Sequence, residues 1–293
     1  MPKRITIAML CSLLVPVAAM ADMTMSDCLV TLIEEAQVPA QEAGVLTEVA
    51  VKEGDQVAEG GLLARIDDTQ AQMQLKAARF KLDVAKEEAS NDVNIRYAQA
   101  STRVAEAEYM VNKEACDKVP GAIPATEMRR LLLTYHRAKL EIEQAQMQFR
   151  IAALETNVAQ AEVDAAAEGV RRRKILAPMD AMVVERFRHH GEWVQPGDPV
   201  MHIVRIDRLR VQGYIRATDH AAGEIDGRDV TVDVELTRGR QESFRGKVVF
   251  VSPLVQAGGE YQVWAEVENR RDPRNNHWLL QPGLDASMTI HTR

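Results

Sequence analysis

Val38 to Ile66 reads VPAQEAGVLTEVAVKEGDQVAEGGLLARI, and Ile175 to Ile203 reads ILAPMDAMVVERFRHHGEWVQPGDPVMHI. The two segments align without a gap. Val45 matches Met182, Glu48 matches Glu185, Gly54 matches Gly191, Val57 matches Val194, Gly60 matches Gly197, Leu63 matches Val200 and Ile66 matches Ile203. Val45, Val49 and Val51 have strand character and Glu53-Gly54-Asp55 turns the chain. Val57 opens a second short strand, and Gly60-Gly61 turns it again before Leu62 to Ile66. Glycine recurs at Gly54, Gly60, Gly191 and Gly197 because such turns call for positive φ. Neither half is large enough to bury a core alone, so the two must fold against each other.

What lies between the halves is helical. No glycine or proline occurs from Leu62 to Val119, or again from Ala125 to Glu168. Asp67 with Gln70 gives a capping-box-like start. In the first arm a seam steps by four and three through Ala71, Leu75, Ala78, Leu82, Ala85 and Ala89. It resumes as Val93, Tyr97, Ala100, Val104, Ala107 and Val111, and the run of fours from Ala85 to Tyr97 is a stutter. The second arm alternates strictly through Leu131, Tyr135, Ala138, Ile142, Ala145, Phe149, Ala152, Thr156, Ala159, Val163, Ala166 and Val170. Each arm is about 48 residues, or ~70 Å of helix. The link Lys118-Val119-Pro120-Gly121-Ala122-Ile123-Pro124 closes them into an antiparallel hairpin. Leu75, Leu82, Val104, Leu131, Ile142 and Phe149 are its expected large seam residues.

After Ile203 the chain reads as β. Leu209 to Ile215, Val230 to Leu236, Phe244 to Val251, Tyr261 to Val267 and Ala286 to His291 are strands, with a short helix expected at Thr218 to Ile225. Short strands around one helix predict a small barrel. The expected segments are 28–66 and 175–204 for the split β domain, 67–174 for the hairpin with its tip at about 117–125, and 205–293 for the barrel.

Composition agrees. Aromatic residues are 4% of the 293 residues, which suits an Ala- and Leu-rich coiled coil. At the N-terminus, Lys3 and Arg4 precede an apolar run from Ile5 to Val17, and Ala19-Met20-Ala21 is a small-x-small cleavage site. Residues 1–21 therefore read as a signal peptide for export to the periplasm, the alternative being an uncleaved inner-membrane anchor. Losing Lys3 and Arg4 takes the net charge from −7 further negative, which argues against nucleic-acid binding. The basic run Arg171 to Lys174 sits where a helix ends and suits the helix dipole.

The split domain (Gly44-Val45-Leu46 through Val57, Leu62 to Asp67, Ile175-Leu176-Ala177-Pro178, Gly191-Glu192-Trp193-Val194), the inserted hairpin, and a barrel carrying Leu280-Gln281-Pro282-Gly283-Leu284 resemble the HlyD-like periplasmic adaptors, or membrane fusion proteins. The resemblance implies an elongated α+β chain. A split lipoyl-like (barrel-sandwich hybrid) domain would carry the coiled-coil hairpin and be followed by the small β-barrel. It also implies an adaptor linking an inner-membrane transporter to an outer-membrane channel in tripartite efflux or secretion, working as a homo-oligomer, trimer or hexamer. The alternative reading is an envelope scaffold without a transport role.

Tip residues Lys113, Asp117, Pro120, Gly121 and Ile123 are the expected channel contacts. Members that engage TolC-like channels often carry Arg, Leu and Ser near Lys113, Asp117 and Pro124, and here only the basic member is kept in kind. No room for a full membrane-proximal domain follows the barrel, which leaves an ABC transporter or another pump as the expected inner-membrane partner.

Other chemistries fit less well. A swinging-arm carrier needs a lysine on a hairpin between the halves, where this chain inserts its coiled coil. Met23, Met25 and Cys28 form a soft-ligand cluster of the kind that handles copper or silver, although residual composition explains it as well. His189-His190 reads as a solvated turn. No phosphate loop, His-Glu-x-x-His or Gly-x-Ser-x-Gly occurs, so neither catalysis nor a cofactor nor a resident metal is expected. Cys28 and Cys116 are placed too far apart to pair within one chain.

Overall fold

The computed structural model describes residues 22–236 and 239–291. The signal segment 1–21, with Cys11, lies outside the described residues.

The repeat closes by a reciprocal exchange of backbone hydrogen bonds. Gly54 N donates to Val183 O at 2.8 Å, and Val183 N returns a bond to Asp55 O at 3.0 Å. In the mirror position Gly191 N donates to Leu46 O at 2.8 Å, and Leu46 N to Glu192 O at 2.9 Å. The second turn of each half does the same: Gly60 N bonds Ala177 O at 2.8 Å, and Gly197 N bonds Ala40 O at 2.9 Å. Each bond joins one half to the other, so neither half satisfies its turns alone.

The strands interleave likewise. From the first half come β2 (Glu35–Pro39), β3 (Gly44–Val49), β4 (Gln56–Val57) and β5 (Leu62–Ile66). The second supplies β6 (Lys174–Leu176), β7 (Ala181–Arg186), β8 (Trp193–Val194) and β9 (Pro199–Val204). One sheet runs β2-β9-β7-β4 and the other β6-β5-β3-β8, so each takes two strands from each half. Leu46, Leu63 and Ile66 meet their counterparts Val183, Val200 and Ile203 in a shared, fully buried core. At roughly 1.5–3 kcal/mol per buried aliphatic side chain, this core stabilises the domain only once both halves are present.

A second closure encloses the first in the chain. The barrel is closed in the order β1-β10-β13-β12-β11-β14. Its strands are β1 (Met23–Leu32), β10 (Arg208–Arg216), β11 (Asp229–Leu236), β12 (Arg240–Val255), β13 (Glu260–Glu268) and β14 (Asp285–Ile290). The first strand thus precedes the split domain in sequence but belongs to the barrel. The expected start of the first half at 28 is corrected: it begins at β2, and Cys28 to Leu32 pair with β10 and β14. A bulge between Met25 and Cys28, with Asp27 at φ 68°, shifts the alternation and hides the strand from a period-two reading. The expected helix at Thr218 to Ile225 shortens to α4, Ala222–Ile225.

This placement also corrects the soft-ligand reading. Met25 and Cys28 point into the barrel core, where a Cβ added to Gly213 would lie 2.7 Å from Cys28 Sγ. Burial pushes the Cys28 thiol up to about 11, so it is neutral at physiological pH and packs as a small apolar group. Among the described residues no group of three or more His, Cys, Asp and Glu is arranged to hold a metal.

Gly54 and Gly191 sit at φ +91° and +87°. Gly54→Val and Gly191→Val should each cost about 1–2 kcal/mol in urea unfolding, and an unchanged midpoint at both would contradict the closure argument. In the native protein at pH 8, half-exposed Cys116 should react with a thiol reagent while Cys28 reacts only after unfolding. The sign is set by the raised pKa: the buried thiol favours the folded state until pH passes the ordinary thiol range toward 11.

Candidate partner-docking site

The hairpin grows from the seam between the halves. Ile66 N bonds Arg173 O and Asp67 N bonds Val45 O, each at 2.8 Å, which ties both helix ends to the β domain. The first helix, α1 (Thr69–Ser90), starts with Asp67 Oδ1 accepting from Thr69 N and Thr69 Oγ1 at 3.0 and 2.7 Å. Those bonds hold the Asp67 carboxyl below its usual range, and Gln70 plays no part in the cap. At the other end Arg171 and then Arg172 lower Glu168 to about 2, and Arg173 Nη1 donates to Gly169 O at 2.7 Å. These pairs are exposed, so their weight is in geometry more than in stability.

The first arm is broken. It consists of α1 and α2 (Val93–Lys118), whereas α3 (Ala125–Arg171) is continuous. At the break Asn91 Oδ1 accepts from Val93 N at 3.1 Å, a local bond that competes with the helix. The interruption resets the heptad phase. In α1 the face toward α3 includes Ala71, Leu75, Ala78, Leu82, Ala85 and Ala89. In α3 it includes Leu131, Ile142, Phe149 and the rest of the four-three series.

In α2, however, the covered residues are Ile95, Ala98, Thr102, Ala105, Tyr109, Asn112 and Cys116. Val104, expected in the seam, is 61% exposed, and Val93, Tyr97 and Val111 are exposed with it. The exposed Val93, Val104 and Val111 imitate a seam by their spacing, whereas the covered series mixes Ile95 and Tyr109 with smaller and polar residues. That series alternates by three and four, and this was the signal available.

Two polar residues pin the seam's register. Thr102 Oγ1 donates to Ala98 O and Ala138 O at 2.8 and 2.9 Å, and Thr156 Oγ1 to Ala85 O at 3.3 Å. Tyr135 and Tyr109 stack at 6.2 Å, with Tyr135 Oη bonded to Glu106 Oε1 at 2.8 Å. Antiparallel register places Phe149 opposite the Asn91–Asp92 break.

The outer sides of both arms carry an apolar stripe that is left uncovered among the described residues. On α1 and α2 it includes Met73, Phe80, Tyr97, Val104 and Val111. On α3 it includes Leu133, Leu140, Met147 and Leu154, each seven residues from the last. At the tip Lys113, Asp117, Pro120 and Gly121 are exposed, Gly121 at φ +86°, and Ile123 is half-covered. The tip residues lie together at the end of the hairpin, while the turn glycines Gly54, Gly60, Gly191 and Gly197 belong to the split β domain from which it grows. His189 is an exposed turn residue whose Nδ1 is 3.2 Å from Glu192 Oε1.

Leu131→Asp should destabilise the hairpin by about 3 kcal/mol, since it buries an unpaired carboxylate. Val104→Asp should leave the helicity of the isolated chain unchanged. Circular dichroism during urea unfolding separates the two, and equal losses would restore the unbroken seam.

The described geometry has known counterparts. Residues 34–206 match the family model described as RND MFP, barrel-sandwich hybrid domain. A UPF0194 membrane protein of Yersinia pseudotuberculosis is 26% identical over 238 residues, covering 73% of this chain and 71% of its own. The MacA structure from Actinobacillus actinomycetemcomitans superposes with a TM-score of 0.62 at 20% identity, over 92% of this chain and 78% of that one. The membrane fusion protein Spr0693 from Streptococcus pneumoniae R6 superposes at 0.52 and 16% identity, over 92% and 99%. With the family model spanning more than half of its length, and its fold shared with these structures, the chain belongs to the membrane fusion protein family.

Proposed function

We propose that this chain is the periplasmic adaptor of a tripartite efflux or secretion system, joining an inner-membrane transporter to an outer-membrane channel. The observation that carries the reading is the hairpin, a long two-ended spacer rooted in the split β domain and bearing apolar stripes uncovered among the described residues on both outer sides. Such stripes on a slender hairpin are exposed liabilities in a lone molecule and contact surfaces in an assembly.

The stripes differ, so the arm-one side of one copy would pack against the arm-two side of the next. Repetition of such a heterologous contact closes a ring when the rotation between neighbouring copies divides a full turn. A trimer or hexamer built this way forms a sheath with the tip residues Lys113, Asp117, Pro120, Gly121 and Ile123 gathered at one end, toward the channel. The barrels gather at the other, toward an ABC transporter or another pump. The adaptor transmits and aligns, and it has no catalytic step of its own.

Export assays of the deletion strain complemented with variants test this. Val104→Asp and Leu140→Asp should keep the fold, lose crosslinked oligomers and reduce export to the deletion level. Full export by a strictly monomeric variant would overturn the sheath, and export unchanged by deletion would favour the scaffold.

A further inference from the structure

The β12–β13 hairpin ends in a segment unlike the rest of the chain. From Val248 to Gly259 the sequence reads VVFVSPLVQAGG, with no charged residue in a chain that is 27% charged. Hairpin tips are ordinarily polar. Here the register slips between Val251 and Val255, and the extra residues bulge from the barrel. Leu254 N donates to Ser252 Oγ at 3.1 Å instead of to a neighbouring strand. Leu254 is left 75% exposed and Val255 57% exposed.

Behind this aliphatic tip lies an aromatic layer. The Phe250 ring packs 4.5 Å from Trp264, and the Arg210 guanidinium lies 4.4 Å over the same indole. Trp264 Nε1 and Arg210 Nε are shielded from solvent without a hydrogen-bond partner among the described residues. Aliphatic tip, amphipathic rings and a long cationic side chain follow one another in the order that a bilayer interface accommodates.

The place in the fold agrees. Arg216 pairs with Glu260 beside the tip, and the same end of the barrel has a cleft lined by Met23, Thr24, Tyr214 and Glu260. The chain therefore enters the described fold at Asp22 on the side of this tip, and an uncleaved anchor at Ile5 to Val17 would be separated from it only by Ala18 to Ala21. The linkers to the split domain leave from the opposite end, where Arg205 N bonds Glu34 O.

We propose that the β12–β13 tip, led by Leu254 and Val255, inserts into the surface of a lipid bilayer and seats the barrel on the membrane. An uncharged tip makes this contact apolar, so it should depend little on anionic lipid or on salt.

The test uses the chain from Asp22 to Arg293, which holds every described element, with vesicles of phosphatidylethanolamine and phosphatidylglycerol or of phosphatidylcholine alone. The protein should cosediment with both, in low and in high salt. Leu254→Asp and Val255→Asp should each weaken binding by about tenfold or more with the thermal melt unchanged, as expected for one lost aliphatic anchor. Leu254→Trp should blue-shift its emission on the vesicles and be quenched by brominated acyl chains.

Absence of cosedimentation would overturn the proposal. So would binding that Leu254→Asp leaves intact, or binding confined to anionic vesicles at low salt. If the aspartates instead change only the oligomeric state, the tip is a contact between copies and the lipid assignment falls.

Discussion

Everything elongated in this molecule depends on the exchange of backbone hydrogen bonds between two halves of one small β domain. Gly54 and Gly191 each donate into the opposite half, and the strands behind them alternate between halves in both sheets. Two halves that complete each other hold their inner ends together, and those inner ends are where the helices leave. The spacing and antiparallel direction of the hairpin are thus set at its base by β structure, with the coiled-coil seam carrying the direction outward.

The closures are nested. The hairpin interrupts the split domain, and the split domain interrupts the barrel, whose strand β1 comes first in the chain. Each outer unit must wait for the inner one to bring its ends together, which favours a folding order from hairpin to barrel through progressively longer loop closures. It also gives the molecule two well-separated ends, a narrow helical tip and a barrel foot.

Much of this was legible in the sequence, for physical reasons that vary by element. The repeat announced itself because its glycines are required by backbone conformation, which few other residues satisfy. The α3 seam was clear because an uninterrupted helix keeps its heptad phase. In α2 the phase was lost, since Asn91 makes a local bond that a periodicity argument does not weigh, and the exposed Val104 series imitated a seam. Strand β1 was missed because its bulge at Asp27 breaks the alternation and its partners lie at the far end of the chain. The tip could be located but not interpreted, since a docking surface is defined by a partner that the sequence does not contain.

In the proposed assembly the hairpin tip faces an outer-membrane channel and the barrel tip faces the inner membrane. Photocrosslinkers placed at Ile123 in the hairpin tip and at Leu254 in the barrel, activated in intact cells, test it most directly. Outer-membrane protein adducts are expected from Ile123 and inner-membrane adducts from Leu254. Adducts to the same membrane from both positions would contradict it.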